Sequence, residues 1–577
     1  MFFKSICNQD LLYIISLFLI SSFFINVNAI ADDIMSQEPF EIWQENSVIS
    51  EIEGSKEKSK NQELTNSQSQ KVKQEDFLFS KADAIGLYDS TNGGFEANIW
   101  NDSNLADIAY LIKIAPLENS SSTLNNLLKK AILTTAAPPD SASHASLSYL
   151  DIKLDFLIAR GHYENVYELS RLLKDKERSE ALSNGMIDYL LIYNQYKKIC
   201  SNRSKFLSQQ LNDLYFISFC NAMAANKLTL DLNISLMKED NDNYDEEYLS
   251  LLSEIIYSDK ITVKNLKEIN LINLNILQNY NVDIDEYITD ISPIKFKLFY
   301  FLNSKKNNLK KISITEELVQ KGLVDHKYLT EVYQSIDLND TKYGGDEDTA
   351  LIERIKAFKD MRKTSSQSEL VKKMPKFVNL FSAHGLLNAA SLMIYDKISI
   401  ISPKSEYAKF TPDICLILIL NNDAEKCNEW ANIINYNSNK LELSKANFYL
   451  SLVNGKSIND TDLNQLINDQ ALSEKQKNII VKYAELKSGL NNINYWKTPN
   501  ELNKVSSITA NIKLHNYFNS LKNQLGEKII LLSILHGDDN FNENDEFTLF
   551  LIIDGLFGIN EVYARDYILE YFTKFNL

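Results

Sequence analysis

The side chains that could carry out chemistry stand at spacings that match no known catalytic motif. Gly455-Lys456-Ser457 would end a phosphate-binding GxxxxGKS loop, but Leu450 occupies the position of the first glycine. The GxSxG motif, which exposes a serine nucleophile on a strained turn, does not occur in the sequence. These observations disfavour both nucleotide phosphate binding and nucleophilic hydrolysis.

The histidines are too widely spaced to form a helical zinc site. The sequence contains His144, His162, His326, His384, His515 and His536. No two of them are three or four residues apart, as the HExxH and HxxxH patterns require. We therefore expect these side chains at the surface or in turns, and not as metal ligands.

Two acidic segments offer oxygen ligands but do not match a calcium-binding loop. In the segment that begins at Asp538, Glu543 replaces the glycine of position 6 and Leu549 replaces the glutamate of position 12. The segment between Glu239 and Glu247 is predicted to be a solvated loop between helices. The sequence thus predicts no metal ion and no other cofactor.

The cysteines are the residues whose spacing favours a chemical role. Four of the five lie well inside the chain, at Cys200, Cys220, Cys415 and Cys427. No CxxC occurs and no histidine lies at ligand spacing, so disulfides are favoured over a zinc site. The spacing favours local pairs, 200 with 220 and 415 with 427, although four cysteines allow three connectivities.

Glycan hydrolysis would need two carboxylates about 5 to 10 Å apart, one of them with a raised pKa. The chain has 77 acidic residues, and their spacing singles out no such pair. Among the tryptophans, Trp100 and Trp430 fall on or beside amphipathic helices and are predicted to be core residues. Trp496, in the turn-like segment NYWKTP, is a candidate contact with a partner.

The composition excludes several broad classes of protein. The 577 residues include only 16 Gly and 9 Pro, about 4% of the chain, where an average protein has roughly 12%. Turn-rich β folds and glycine-dependent nucleotide folds are therefore disfavoured. The formal net charge of −17 repels phosphate backbones and anionic lipids, so we expect no nucleic-acid partner and no docking on acidic membranes.

The N-terminus has the pattern of an export signal. Lys4 precedes a mostly apolar run from Leu11 to Ile25, and small residues that favour cleavage follow near Ala29 and Ala31. This run is shorter than the roughly 20 residues of a membrane span, which favours a cleaved signal peptide over 1–31 rather than an anchor. Residues 32–75 are polar and are predicted to form a disordered tether.

The remainder of the chain has the apolar period of amphipathic helices. Residues 154–173, LDFLIARGHYENVYELSRLL, read as two helices joined by a turn at Gly161. Similar turns follow at Asn194 and Asn226, so the steps are 33 and 32 residues, close to the tetratricopeptide period of 34. Later turns are predicted, at irregular spacing, at Gly322, Gly385, Asn421-Asn422, Asn454-Gly455 and Gly558.

The predicted fold is all-α, an α-solenoid of irregular, tetratricopeptide-like helical hairpins. Each hairpin would bury one apolar face against the next hairpin. We predict an N-terminal arm over 76–290 and a C-terminal arm over 291–577.

Three features of the sequence resemble a known family. They are the segment ANIWNDSNLADIAYLIKIAPLENSSSTLNNLLKKAILTTAAPPD at 97–140, the following LDFLIARGHYENVYEL, and the spaced Cys200 and Cys220. The family consists of exported, tetratricopeptide-like helical-repeat proteins of alphaproteobacteria, and the resemblance covers mainly residues 97–240. The pattern of that family has a tryptophan, a Leu-Pro-containing helix, a Leu-Leu-Thr-x-Ala-x-x-Pro stop and two such cysteines. The resemblance implies a periplasmic all-α repeat protein and implies no catalytic or binding residues.

The sequence therefore favours a non-enzymatic scaffold or adaptor, located in the periplasm after signal cleavage. It would bind a protein partner, which could be associated with the cell wall, through a curved helical surface. The alternative is a peptidoglycan hydrolase or an activator of a cell-wall enzyme. After cleavage of the signal, no stable membrane insertion is expected.

Overall fold

A computed structural model describes this chain from residue 82 to residue 575. Shorter segments inside that range are not described: 118–119, 141–147, 175–177, 204–205, 207–212, 240–244, 259–260, 262–265, 267–268, 339–345, 435–438, 489–523, 538–540 and 542–545. The predicted signal peptide at 1–31, the predicted tether at 32–75 and Trp496 all lie outside the described residues.

The described residues form 24 α-helices, which confirms the predicted all-α class. The first twelve are α1 (Leu105–Ile114), α2 (Ser122–Ile132), α3 (Tyr149–Ala159), α4 (Tyr163–Leu172), α5 (Glu180–Ile192), α6 (Tyr196–Ser201), α7 (Leu214–Met223), α8 (Lys227–Glu239), α9 (Glu246–Tyr257), α10 (Leu271–Asn279), α11 (Ile294–Asn303) and α12 (Leu309–Gln320). Within the described ranges no β-strand forms, and only two isolated β-bridges occur.

The remaining helices continue to the end of the described chain. They are α13 (His326–Ser335), α14 (Asp346–Lys363), α15 (Gln367–Ser382), α16 (Leu387–Ile398), α17 (Thr411–Leu420), α18 (Ala424–Ile433), α19 (Lys440–Asn454), α20 (Asp460–Ile467), α21 (Glu474–Ser488), α22 (Leu525–His536), α23 (Glu546–Ile559) and α24 (Glu561–Phe575). Short 3₁₀ turns occupy Asp285–Tyr287 and Ser405–Phe410.

Most of the predicted hairpin turns contain a residue in the left-handed backbone region. Gly161, with φ of +78°, joins α3 to α4, and Asn194, with φ of +56°, joins α5 to α6. Glycine and asparagine enter this region at little cost, so they end a helix and reverse the chain. Positive φ values also occur at Ala225, beside the predicted Asn226, and at Gly322, Gly385, Asn422 and Gly455.

The turn predicted at Gly558 is wrong by two residues. Helix α23 continues through Gly558 to Ile559, and the chain turns at Asn560. Asn560 caps the next helix, because its side-chain oxygen accepts a hydrogen bond from the backbone N–H of Val562 at 2.9 Å. An asparagine cap satisfies one of the free N–H groups at the start of α24, and this favours a turn at Asn560.

The apolar core consists of two clusters of buried side chains. The larger one combines side chains from residues 82–182 with side chains from residues 312–572. The smaller one covers residues 163–318, from α4 to α12. Residue 290 is the predicted boundary between the two arms, and both clusters include residues from each side of it. The solenoid arrangement and the division into two arms stay predictions.

Helices from the two ends of the described chain pack against each other. Helix α2 contacts both α22 and α24, and α1 also contacts α22. The residues of α2 that the apolar period places on one face are all buried: Leu124, Leu127, Leu128, Ala131 and Ile132. This face of α2 lies in the larger core cluster together with the last helices, so the first helical hairpin and the last share one core.

Candidate functional site

A cleft of about 590 Å³ lies where helices from both ends of the described chain meet. We call it the central cleft. Its walls are the start of α2, the turn after α12, the start of α16, the turn between α17 and α18, and one face of α24. Polar side chains that line it include Thr123, Gln320, Asn388, Asn422 and Asp566. Concave sites at the meeting of several elements are the usual places for ligands.

The N-terminus of α2 is closed by a carboxylate of α24. Glu570 accepts hydrogen bonds from the hydroxyl of Ser121 at 2.7 Å, from the N–H of Ser122, and from the N–H of Thr123 at 3.1 Å. The free N–H groups and the helix dipole make the start of a helix favourable for negative charge. Glu570 therefore satisfies this anion site from within the protein and ties α24 to α2.

A buried histidine lies behind the wall of the cleft. His536 is 2% exposed; its Nε2 lies 3.1 Å from the hydroxyl of Ser120, and its Nδ1 lies 2.8 Å from the hydroxyl of Tyr567. This corrects the expectation that all histidines lie at the surface or in turns. Burial, aided by the positive charge of Lys574, lowers the pKa of His536 to about 3.

The arrangement of Ser120 beside His536 is similar to the serine and histidine of a nucleophilic hydrolase. An efficient general base has a pKa near the working pH, and a histidine with a pKa of about 3 is a weak base. The two N–H groups at the start of α2, which could stabilise an oxyanion, are already bound to Glu570. The geometry therefore favours a structural role for this serine and histidine.

Two lysines of the cleft are held by neighbouring groups. The ammonium of Lys130 donates to the hydroxyl of Tyr563 at 3.0 Å and lies 5.1 Å from the ring centre of Phe95. The ammonium of Lys574 donates to the carbonyl of Ser120 at 3.0 Å. Burial lowers the pKa of Lys574, and the negative charge of Glu570 partly opposes this effect. Both cations thus hold the walls of the cleft together.

Asp566 differs from these groups, because its carboxylate accepts no hydrogen bond from the described part of the protein. It lies one helical turn before Glu570 on α24 and is open to the solvent within the cleft. Partial desolvation raises the pKa of Asp566, Glu570 adds to this effect, and Arg565 works against it. A carboxylate in this position can accept hydrogen bonds from a ligand or bind a cationic group.

Four primary amides line the same cleft as Asp566. Those of Gln320 at the end of α12, Asn388 at the start of α16 and Asn422 in the turn between α17 and α18 belong to solvent-exposed residues, and Asn126 of α2 adds a fourth. Each amide offers two N–H donors and one carbonyl acceptor. Such donors and acceptors can bind the N–H and C=O groups of a polypeptide main chain.

The cysteines lie outside the cleft, in the pairs that their spacing favours. The Cys200–Cys220 disulfide links α6 to α7, with the Cα atoms 5.6 Å apart. The Cys415–Cys427 disulfide links α17 to α18, with the Cα atoms 4.8 Å apart. The second bridge spans the turn that carries Asn422, so it holds one wall of the central cleft in place.

Metal and membrane sites find no support in the part of the chain that the structure describes. There, no three histidine, cysteine or acidic side chains are grouped so that they could hold a metal ion. None of the helices described has the length and apolar character that a membrane span requires.

Comparison of the chain with family models, with curated proteins and with solved structures gives no match. The site residues are therefore assigned from their geometry alone.

In the sequence, His536 is one of six widely spaced histidines, and no motif marks Asp566 or Glu570. Asp566 and Glu570 are four residues apart on a helix, which is a sequence signal for two carboxylates on one face. Such pairs are frequent in a chain with 77 acidic residues, so this signal could not have selected them.

Proposed function

We propose that this chain is a non-enzymatic periplasmic scaffold or adaptor that binds an extended, basic segment of a partner protein in the central cleft. The proposal includes its membership of the exported alphaproteobacterial helical-repeat family that it resembles. Two disulfides support export to an oxidising compartment, because such bonds persist there and are rare in the cytosol.

The observation that carries the proposal is the exposed carboxylate of Asp566 in a cleft that primary amides also line. The amides of Gln320, Asn388 and Asn422 would bind the main chain of the segment. Asp566, which accepts no hydrogen bond from the described residues, would bind a lysine or arginine side chain. The net charge of −17 would also attract a basic partner over a longer range.

The alternative is a peptidoglycan hydrolase or an activator of a cell-wall enzyme. Burial raises the pKa of Asp566, which is the direction that a general acid needs, and Glu570 lies one turn away. A hydrolase would need the second carboxylate to be free to act as nucleophile or base. Glu570 already accepts three hydrogen bonds at the start of α2, which favours binding over catalysis.

Peptide binding tests the proposal directly. A fluorescein-labelled, extended peptide of alternating lysine and glycine serves as the probe, with anisotropy as the measurement. We expect Asp566→Asn to weaken binding about tenfold at low salt, the size of a single charge-assisted contact. The matched control is Asp107→Asn, which alters an exposed aspartate in the first turn of α1, and it should bind like the wild type.

A second measurement separates binding from catalysis. Purified peptidoglycan is incubated with wild type, Asp566→Asn and Glu570→Gln, and the released muropeptides are quantified. No release by any of the three proteins supports the scaffold. Release by the wild type that is lost in Asp566→Asn would establish the hydrolase instead.

A further inference from the structure

Helix α8 carries leucines on two faces, and only one face is buried. Leu228, Leu232 and Leu236 follow at i, i+4 and i+8 and are 88%, 58% and 43% exposed. The opposite face is buried against the core and contains Leu230, Asn233, Ile234 and Met237. A surface helix needs one apolar face to pack on its core, so this second, more exposed row is not needed for that packing.

A tyrosine of the next helix extends this row. Tyr257, at the end of α9, is 72% exposed, and its hydroxyl donates a hydrogen bond to a carboxylate oxygen of Asp231. Lys227 donates to the carbonyl of Ile256 at 3.1 Å, which fixes the end of α9 beside the start of α8. We call Leu228, Leu232, Leu236 and Tyr257 the leucine stripe.

The leucine stripe is short. From Leu228 to Leu236 the helix rises about 12 Å, at 1.5 Å per residue. Three leucines and one tyrosine offer much less than the roughly 800 Å² that each partner buries in a standard protein interface. The length of the leucine stripe matches two to three turns of one partner helix. The apolar side chains of such a helix lie at i, i+3 or i+4, and i+7.

The charges around the leucine stripe are mainly acidic. Asp231 and Glu239 of α8 are exposed, and the start of α9 adds the exposed Asp245 and Glu246. The exposed cations are Lys227 and Lys238, one at each end of α8. A second copy of this chain would bring the same acidic groups and its own net charge of −17 to the contact. An anionic lipid surface is disfavoured for the same reason.

We propose that the leucine stripe binds a basic amphipathic helix of a partner protein. None of its residues lines the central cleft, so this is a second binding surface that goes beyond the proposed function of the cleft. The apolar row would pack against the leucines and Tyr257, and lysine or arginine residues beside that row would face Asp231 and Glu239. A chain with both surfaces would hold an extended segment and a helix at separate places.

The test uses a labelled synthetic helix with leucines at i, i+4 and i+7 and lysines at the flanking positions. Anisotropy measures its affinity for the full protein. We expect Leu228→Ser combined with Leu232→Ser to weaken binding at least tenfold. The matched control is Leu172→Ser, which changes an equally exposed leucine of α4, at 58%, and should leave the affinity unchanged.

Two further variants and one measurement of location decide the outcome. Glu239→Lys should weaken binding at low salt but not at high salt, because screening removes the charge term. Amide hydrogen exchange should show protection of α8 when the peptide binds, while Asp566→Asn, a cleft variant, should keep wild-type affinity for this helix. Equal affinity of wild type and the double leucine variant would overturn the proposal.

A second copy of this chain or a lipid surface, bound at the leucine stripe in place of a basic helix, would give different results. A concentration-dependent dimer in sedimentation that the double leucine variant abolishes would assign the stripe to a second copy and overturn the proposal. Binding to phosphatidylglycerol vesicles that is lost in the same variant would assign it to a lipid surface, with the same consequence.

Discussion

The indole ring of Trp100 lies directly on Gly526, so the start and the end of the described chain touch without space for a methyl group. A Cβ atom at Gly526 would lie 2.1 Å from Cζ3 of the ring. Beside this contact, the N–H of Gly526 donates to the carbonyl of Ile99 at 3.0 Å. Trp100 is 1% exposed, which agrees with its prediction as a core residue.

Gly526→Ala should therefore destabilise the protein. The rigid indole cannot turn away, because it is enclosed on all sides, so the added methyl group must separate α22 from Trp100. We expect a loss of about 1–3 kcal/mol in the free energy of unfolding, the usual cost of overpacking a core. Chemical denaturation measures it.

The control for this variant is Gly558→Ala. Gly558 lies in the last turn of α23, and a Cβ there would meet no atom within 4 Å. Alanine is the better helix former by about 0.5–1 kcal/mol, so stability should stay equal or rise. Equal losses in the two variants would show that the Trp100 contact has no special role.

Removal of the carboxylate that closes α2 should also destabilise the fold. Glu570→Ala leaves the N–H groups of Ser122 and Thr123 and the hydroxyl of Ser121 without their acceptor. We expect a loss of about 1–3 kcal/mol, measured by urea denaturation. Glu168→Ala is the comparison, because Glu168 forms an exposed pair with Arg171 and such pairs contribute about 1 kcal/mol or less. A loss no larger than in Glu168→Ala would contradict the closing role of Glu570.

The buried histidine predicts how stability depends on pH. An unfolded histidine titrates near pH 6.5, whereas the pKa of His536 in the fold is about 3, mainly because of burial. Between these values the unfolded chain binds a proton that the folded chain does not, so the free energy of unfolding decreases as pH falls below 6.5. The slope approaches about 1.4 kcal/mol per pH unit for each such group.

His536→Gln should make the free energy of unfolding depend less steeply on pH, because one titrating group is removed. Urea denaturation between pH 7 and pH 4 measures this dependence. His162 has a pKa lowered to about 3 for the same main reason, so His162→Gln should have the same effect. A slope that is identical in wild type and in both variants would rule out the assignment of acid sensitivity to these two side chains.

The two disulfides should differ in how easily they are reduced. Cys415 and Cys427 are each 0% exposed, whereas Cys200 and Cys220 are partly exposed. A thiol must reach the sulfur atom, so mild reductant on the folded protein should open Cys200–Cys220 first. Alkylation and peptide mapping would show the order. Earlier reduction of Cys415–Cys427 would contradict this order, and four free thiols in protein purified without reductant would contradict the two bridges themselves.

Removal of the buried Cys415–Cys427 disulfide should reduce stability as well. Cys415→Ala combined with Cys427→Ala opens a short closed loop, for which about 2–4 kcal/mol is typical. Because the bridge spans the turn that carries Asn422, affinity for the lysine-glycine peptide should fall with it. Unchanged affinity in the folded variant would show that this wall of the cleft does not depend on the disulfide.

The sequence by itself determined the helices and most of the turns between them. The apolar period of α2 and the left-handed turns at Gly161 and Asn194 depend on residues a few positions apart. The pairing of Cys415 with Cys427 was likewise favoured by spacing alone, because both cysteines flank one turn. Local backbone preferences and a helical period are properties of a short segment, so they can be read without knowledge of the fold.

Only the tertiary structure decided which distant surfaces meet. Gly526 is an ordinary helical glycine until Trp100 packs on it, and Glu570 is one of many acidic residues until α2 begins beside it. In α8, leucines occupy two faces, and their period alone does not say which face is buried. Burial depends on the shape of the whole core, because each helix gains most of its stability from the surface that it packs against.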